Sequence, residues 1–156
     1  MHLLTWRACK MRSDVLNSNS NSYGKVHDVK DVELVSAAKT LTLSDSGKVF
    51  MCESSGGAYS ITLPPATENK VGWNCKFIVW EETPTADITI AAGSAILSGV
   101  NKDAGGDAAN STAGTQVSNI ILDTTAERGD VVEVMYYGDE YVFTAFSSIN
   151  NGIQTS

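Results

Sequence analysis

Asp45-Ser46-Gly47 is the triplet in this chain whose residue types come nearest to a catalytic motif. An Asp-Ser/Thr-Gly turn holds a carboxylate that, paired with a second copy, shares one proton and activates water, as in aspartic proteases. Those enzymes place a small residue after the triplet and a hydrophobic pair before it, whereas Ser44 and Lys48 flank it here. The flanks fit a β-turn closed by an Asx hydrogen bond, with a protease-like Asp45 as the alternative.

The other candidates are weaker. His2 and His27 both fall in the N-terminal stretch, away from any strand framework that would hold an imidazole against a serine. Ser54-Ser55-Gly56-Gly57 lacks the lysine and helix of a phosphate loop and the frame of a nucleophile elbow, so a hairpin turn is expected. Glu81-Glu82 and Asp139-Glu140 alternate across strands or sit in turns, as solvated charges do, rather than facing each other as glycosidase carboxylates. Asp103, Asp107 and Asn110 could offer oxygens to calcium, but the D-x-D-x-D-G order is absent. Asn110-Ser111-Thr112 matches a glycosylation sequon, which matters only for a secreted eukaryotic chain.

Trp73, Trp80, Tyr136, Tyr137 and Tyr141 could stack on a sugar, although aromatic side chains in strands more often serve a core or an interface. Cys9, Cys52 and Cys75 have no C-x-x-C spacing, so structural zinc is not expected. Cys52 and Cys75 lie in apolar strand patterns as small hydrophobes, while Cys9 is placed to pair between chains. The inventory leaves no catalytic residue, no metal-ligand set and no cofactor site, and the expected class is non-enzymatic.

A chain of 156 residues fits one domain able to bury a core without a disulfide or metal staple. The composition is 42% hydrophobic with 13 glycines and few charges, which favours strands over helices. No run is long and apolar enough to span a bilayer, so no membrane partner is expected. The apolar opening Met1-His2-Leu3-Leu4-Thr5-Trp6 stops at Arg7 before an h-region forms, so the mature chain is expected to start near Met1.

Charge is unevenly spread. Met1 to Lys30 carries five basic residues against Asp14 and Asp28, a net of +3, and the remainder is −10 within the total of −7. An acidic body binds phosphate backbones poorly, so no nucleic-acid partner is expected, but a basic arm can dock on an acidic protein surface.

The elements that would position these residues read as strands. Asn17 to Ser22 is a polar, low-complexity hinge, and residues 1–39 are expected to form an extended N-terminal arm and linker containing a first strand at Val32 to Val35. Residues 40–156 should form an all-β domain, an antiparallel β-sandwich or barrel (jelly-roll-like). Its strands are expected at Thr40–Leu43, Lys48–Glu53, Tyr59–Leu63, Asn74–Trp80, Asp87–Ala91, Ser94–Ser98, Val117–Asp123 and in a final ribbon. The Gly/Ala/Asn/Asp-rich stretch 100–116 reads as a long exposed loop, and the tail after Phe146 as a surface extension.

Two ribbons dominate, Thr40 to Cys52 and Gly129 to Phe146. In the second, a turn at Gly138-Asp139 pairs Tyr137 with Glu140, which puts Val132, Val134, Tyr136, Tyr141, Phe143 and Ala145 on one face. The other face carries Val131, Glu133, Met135, Tyr137, Glu140, Val142, Thr144 and Phe146, a mixture suited to partial exposure or a neighbouring subunit.

The segments Thr40-Leu-Thr-Leu-Ser-Asp-Ser-Gly-Lys-Val-Phe50, Tyr59-Ser-Ile-Thr-Leu-Pro-Pro-Ala66 and Gly129-Asp-Val-Val-Glu-Val, followed by Gly-Asp-Glu-Tyr-Val-Phe-Thr-Ala145, resemble small β-rich structural proteins of tailed bacteriophages. Such modules occur in head decoration (cement) proteins and in fibre-type proteins. The chain has neither a shaft nor repeats and carries an N-terminal arm, which makes it most similar to cement proteins. The resemblance implies a virion structural protein on the outer surface of the capsid, assembled in the host cytoplasm. Its partners would be the major capsid protein and itself, as a homotrimer. Leu3, Leu4 and Trp6 would be apolar anchors of the arm, Arg7, Lys10 and Arg12 its charged contacts, and Tyr137 and Phe146 contacts of the body. A tail fibre or receptor-binding β-module is the first alternative, and an enzyme using Asp45 the second.

Overall fold

The computed structural model describes residues 31–68, 70–93, 95–104 and 113–156. Leu3, Leu4, Trp6, Arg7, Lys10 and Arg12 lie outside the described residues, as do Asp107, Asn110 and the sequon.

Alternating apolar and polar residues set the strands, because successive side chains of a strand point to opposite faces. β5 (Asn74–Val79) buries Cys75, Phe77 and Val79 and turns Asn74, Lys76 and Ile78 outward. β10 (Val131–Tyr136) and β11 (Tyr141–Ser147) alternate in the same way and pair antiparallel, with Tyr136 opposite Tyr141, Val134 opposite Phe143 and Val132 opposite Ala145. The Tyr137 amide donates to the Glu140 carbonyl at 2.9 Å, and Gly138 takes φ +121° in the turn between them, a conformation that side chains with a Cβ rarely adopt. Both faces of this ribbon are those its sequence predicts.

The remaining strands are β1 (Val32–Val35), β2 (Lys39–Thr40), β3 (Val49–Cys52), β4 (Tyr59–Thr62), β6 (Ile88–Ala91), β7 (Leu97–Asp103), β8 (Ala113–Val117), β9 (Asn119–Leu122) and β12 (Ile153–Thr155). They form two sheets, ordered β1-β3-β5-β10-β11-β7-β8 and β12-β9-β6-β4-β2. The sheets share one core, in which Phe50 stacks on Phe77 at 5.4 Å and Ile61, Ile88, Ile90, Ile120 and Leu122 come from the smaller sheet. The chain is an all-β sandwich. Among the described residues, no helix is long and apolar enough to cross a membrane.

Its sheets are mixed, which corrects the antiparallel, jelly-roll-like expectation. The first six strands alternate between sheets, so β1, β3 and β5 run parallel in one sheet and β2, β4 and β6 run parallel in the other. Parallel neighbours need a crossover, and here a strand of the opposite sheet supplies it. Thr40–Cys52 is therefore not one ribbon: its two halves, β2 and β3, belong to different sheets. Likewise, Ser54 to Gly57 is a turn between sheets rather than a hairpin turn.

β1 is the strand expected at Val32–Val35, and it and Lys39 of β2 pair into the two sheets. Two further boundaries differ from expectation. The stretch read as a loop at 100–116 contains the end of β7 and most of β8, because ladder hydrogen bonds between backbones do not require apolar side chains. The tail after Phe146 returns as β12, paired with β9.

Candidate functional site

Asp45 is 6% exposed and closes a single 3-10 turn, Leu43–Asp45, between β2 and β3. Its Oδ2 accepts from the Thr42 amide at 2.8 Å and the Thr42 hydroxyl at 3.0 Å, and its Oδ1 accepts from Lys48 Nζ at 2.8 Å. Burial opposes ionisation, but the hydrogen bonds from Lys48 and Thr42 together with the Lys48 charge outweigh it and hold the carboxyl below its usual range. Lys48 also reaches Glu33 at 3.3 Å, and Lys39 meets Glu33 at 2.5 Å. In this chain the carboxyl is committed to a cation and a turn.

Ser54 is a similar case. Its Oγ donates to Glu81 Oε1 at 2.7 Å and accepts from the Thr85 and Ala86 amides at 2.7 and 3.1 Å. The side chain is buried and ties the turn after β3 to the segment before β6, with its acceptor capacity filled by backbone amides. Cys52 and Cys75 are free and buried, and burial pushes the Cys52 thiol up to about 12 and Cys75 well above its ordinary value. Thiols so placed are inert. Among the described residues, no three His, Cys, Asp or Glu side chains are grouped to hold a metal ion.

The stacking platform separates into two sets. Trp73, Tyr136 and Tyr141 are core residues, with Tyr141 5.1 Å from Tyr136 and 6.0 Å from Trp73. Their polar atoms are spent on the backbone: Trp73 Nε1 donates to the Thr42 carbonyl at 3.1 Å and the Tyr141 hydroxyl to that of Pro64 at 2.5 Å. Trp80 and Tyr137 are exposed, and Arg128 lies over the Trp80 ring at 5.4 Å.

What the geometry does assemble is a surface. Strand register aligns Leu34, Met51, Ile78, Val131 and Phe146 in one row across the outer face of the seven-stranded sheet, from β1 to β11. Leu34 is 54% and Phe146 50% exposed, and the three residues between them are half-buried. Two rows further along, Asn74, Met135 and Val142 align, and a shallow groove of about 770 Å³ lies over Lys76, Glu133, Met135, Tyr137, Glu140 and Val142. Lys76 and Glu133 pair between the two apolar rows. The two rows make an apolar band across one face of an otherwise acidic domain.

The structure thus puts the two described candidate residues, Tyr137 and Phe146, on this one face. It adds Leu34, Met51 and Ile78, which sequence reading missed. Their alternation was visible in each strand alone, but the row exists only through the parallel register of β1, β3 and β5, which local pattern does not encode. No protein-family model matches the chain, and no curated protein matches it.

Proposed function

We propose that this chain is a non-enzymatic virion structural protein, a capsid decoration or cement protein that binds the assembled phage head on its outer surface. The observation that carries the reading is the apolar row Leu34–Met51–Ile78–Val131–Phe146 on a sheet face that, among the described residues, has no partner sheet. A standard contact buries about 1,600 Å² in total, and many modest contacts on one shell add avidity. In this reading the body associates with two further copies through Tyr137, Phe146 and their row. The segment carrying Leu3, Leu4, Trp6, Arg7, Lys10 and Arg12 clamps adjacent coat subunits. Its charge of +3 against an acidic shell surface steers that contact.

Deleting Met1 to Lys30 is the test of the clamp. The truncated chain should remain folded and fail to decorate shells that the full chain decorates; normal decoration by the truncated chain refutes the clamp. Sedimentation velocity of the full chain tests the self-association, with a trimer expected.

A further inference from the structure

The polar interior at the end of β7 carries an inference independent of the outer face. β7 pairs with β11 so that Asn101 lies opposite Ala145 and Asp103 opposite Ser147, all on the inner side of the sheet. Asn101 is only 2% exposed, and its Nδ2 donates to the Ile153 carbonyl at 2.6 Å. That bond fixes the amide, so Oδ1 is an acceptor and is left without a partner; Asp103 Oδ1, two residues on and on the same side, is also buried without one. Among the described residues these are the two buried side-chain oxygens in that state. Such a group costs free energy unless something donates to it or coordinates it.

We propose that Asn101 Oδ1 and Asp103 Oδ1 bind a hard divalent cation of the calcium type. Both oxygens are acceptors, so neither can satisfy the other. Asp103 Oδ2 accepts from the Asn151 amide at 3.3 Å, so one carboxyl oxygen is engaged and the other is not. Asp130, the acceptor of the Ser147 hydroxyl at 2.8 Å, is a second carboxylate in the same corner. Among the described residues, neither aspartate forms an ion pair with a lysine or arginine. Lys102 and Arg128 line the adjacent recess of about 440 Å³, where Arg128 lies over the Trp80 ring. Asp103 and Asp130 both line that recess.

Calcium accepts a mixed, irregular set of carboxylate, amide and water oxygens, whereas magnesium demands near-ideal octahedral geometry. With one carboxylate and one amide from the protein, the affinity belongs to the weak class, on the order of 10⁻⁴–10⁻³ M.

The test is calorimetric titration of the full chain with calcium chloride, with thermal unfolding in excess calcium and in chelator. One saturable site is expected, with Tm raised by about 3–5 °C at ten times Kd. Asp103→Asn should weaken binding at least about ten-fold and remove the Tm response, while Asp139→Asn, the same charge change on the β10–β11 turn, should leave both intact. Asn101→Asp should tighten binding and lower Tm in chelator, which keeps the test decisive if Asp103→Asn folds poorly. Absence of a saturable site in the wild type, or equal responses from Asp103→Asn and Asp139→Asn, overturns the proposal and assigns the two oxygens to a bridging water.

Discussion

Tyr136 and Tyr137 are neighbours in sequence with opposite surroundings: Tyr136 is 3% exposed and packs against Tyr141, while Tyr137 is 70% exposed over the groove of the outer face. The Tyr136 hydroxyl lies within hydrogen-bond reach of the Ala66 and Gly138 carbonyls and shares its one proton between them, tying the hairpin turn to the loop after β4. One tyrosine holds the fold, and the other is available to a partner. Tyr136→Phe is expected to cost about 1–2 kcal/mol in denaturant unfolding, because the two carbonyls lose the one proton they share. Tyr137→Ala should stay within about 0.5 kcal/mol of wild type and weaken self-association instead. Equal losses of stability from the two would remove the division of labour.

Gly99 pairs with Phe143 between β7 and β11, and a Cβ there would run into the Phe143 backbone carbonyl and ring. Neither a strand carbonyl nor a fully packed ring can move aside cheaply. Gly99→Ala should cost about 3 kcal/mol or more, read as a large drop in denaturation midpoint.

The carboxyl of Asp45 is held below its usual range in the folded chain, so its contribution is present above the unfolded-state pKa and is lost as pH falls through the folded value. Asp45→Ala should therefore lower stability by about 1–3 kcal/mol at neutral pH. The gap to wild type should close on acidification, at a pH below the ordinary carboxylate range. Urea unfolding of both forms across that range checks the sign; a gap that widens in acid contradicts it.

The final ribbon was legible in the sequence because the Gly138-Asp139 turn signal and period-two alternation fix its register locally. Tyr137 and Phe146 could be placed outward for the same reason. The fate of Thr40–Cys52 could not be read, since alternation says which side chains are buried but not which sheet a strand joins, and parallel partners lie a crossover away. β8 escaped notice because its Ala, Gly and Thr residues join the sheet through backbone bonds. Asn101 escaped for the converse reason: an asparagine in a Gly- and Asp-rich stretch reads as surface, yet the β7–β11 register carries it inward.

Cys52 and Cys75 are silenced by burial. In a Cys9→Ser chain, an aromatic disulfide reagent at pH 8 should label neither thiol while the protein is folded and both once it is unfolded. Rapid labelling of either in the native state would mean that the core opens near β3 or β5.

The central claim is that the outer face of the seven-stranded sheet exists to be covered. It is tested most directly by adding the full chain, and a Leu34→Asp/Phe146→Asp form of it, to purified phage shells made without it, and counting bound copies. Both substitutions fall on exposed positions, so the variant should fold and be able to report on binding alone. The account predicts that the wild type saturates the shells at a fixed ratio to coat protein and that the variant stays in solution. A wild-type chain that does not associate with shells, or a variant that binds equally well, would contradict it.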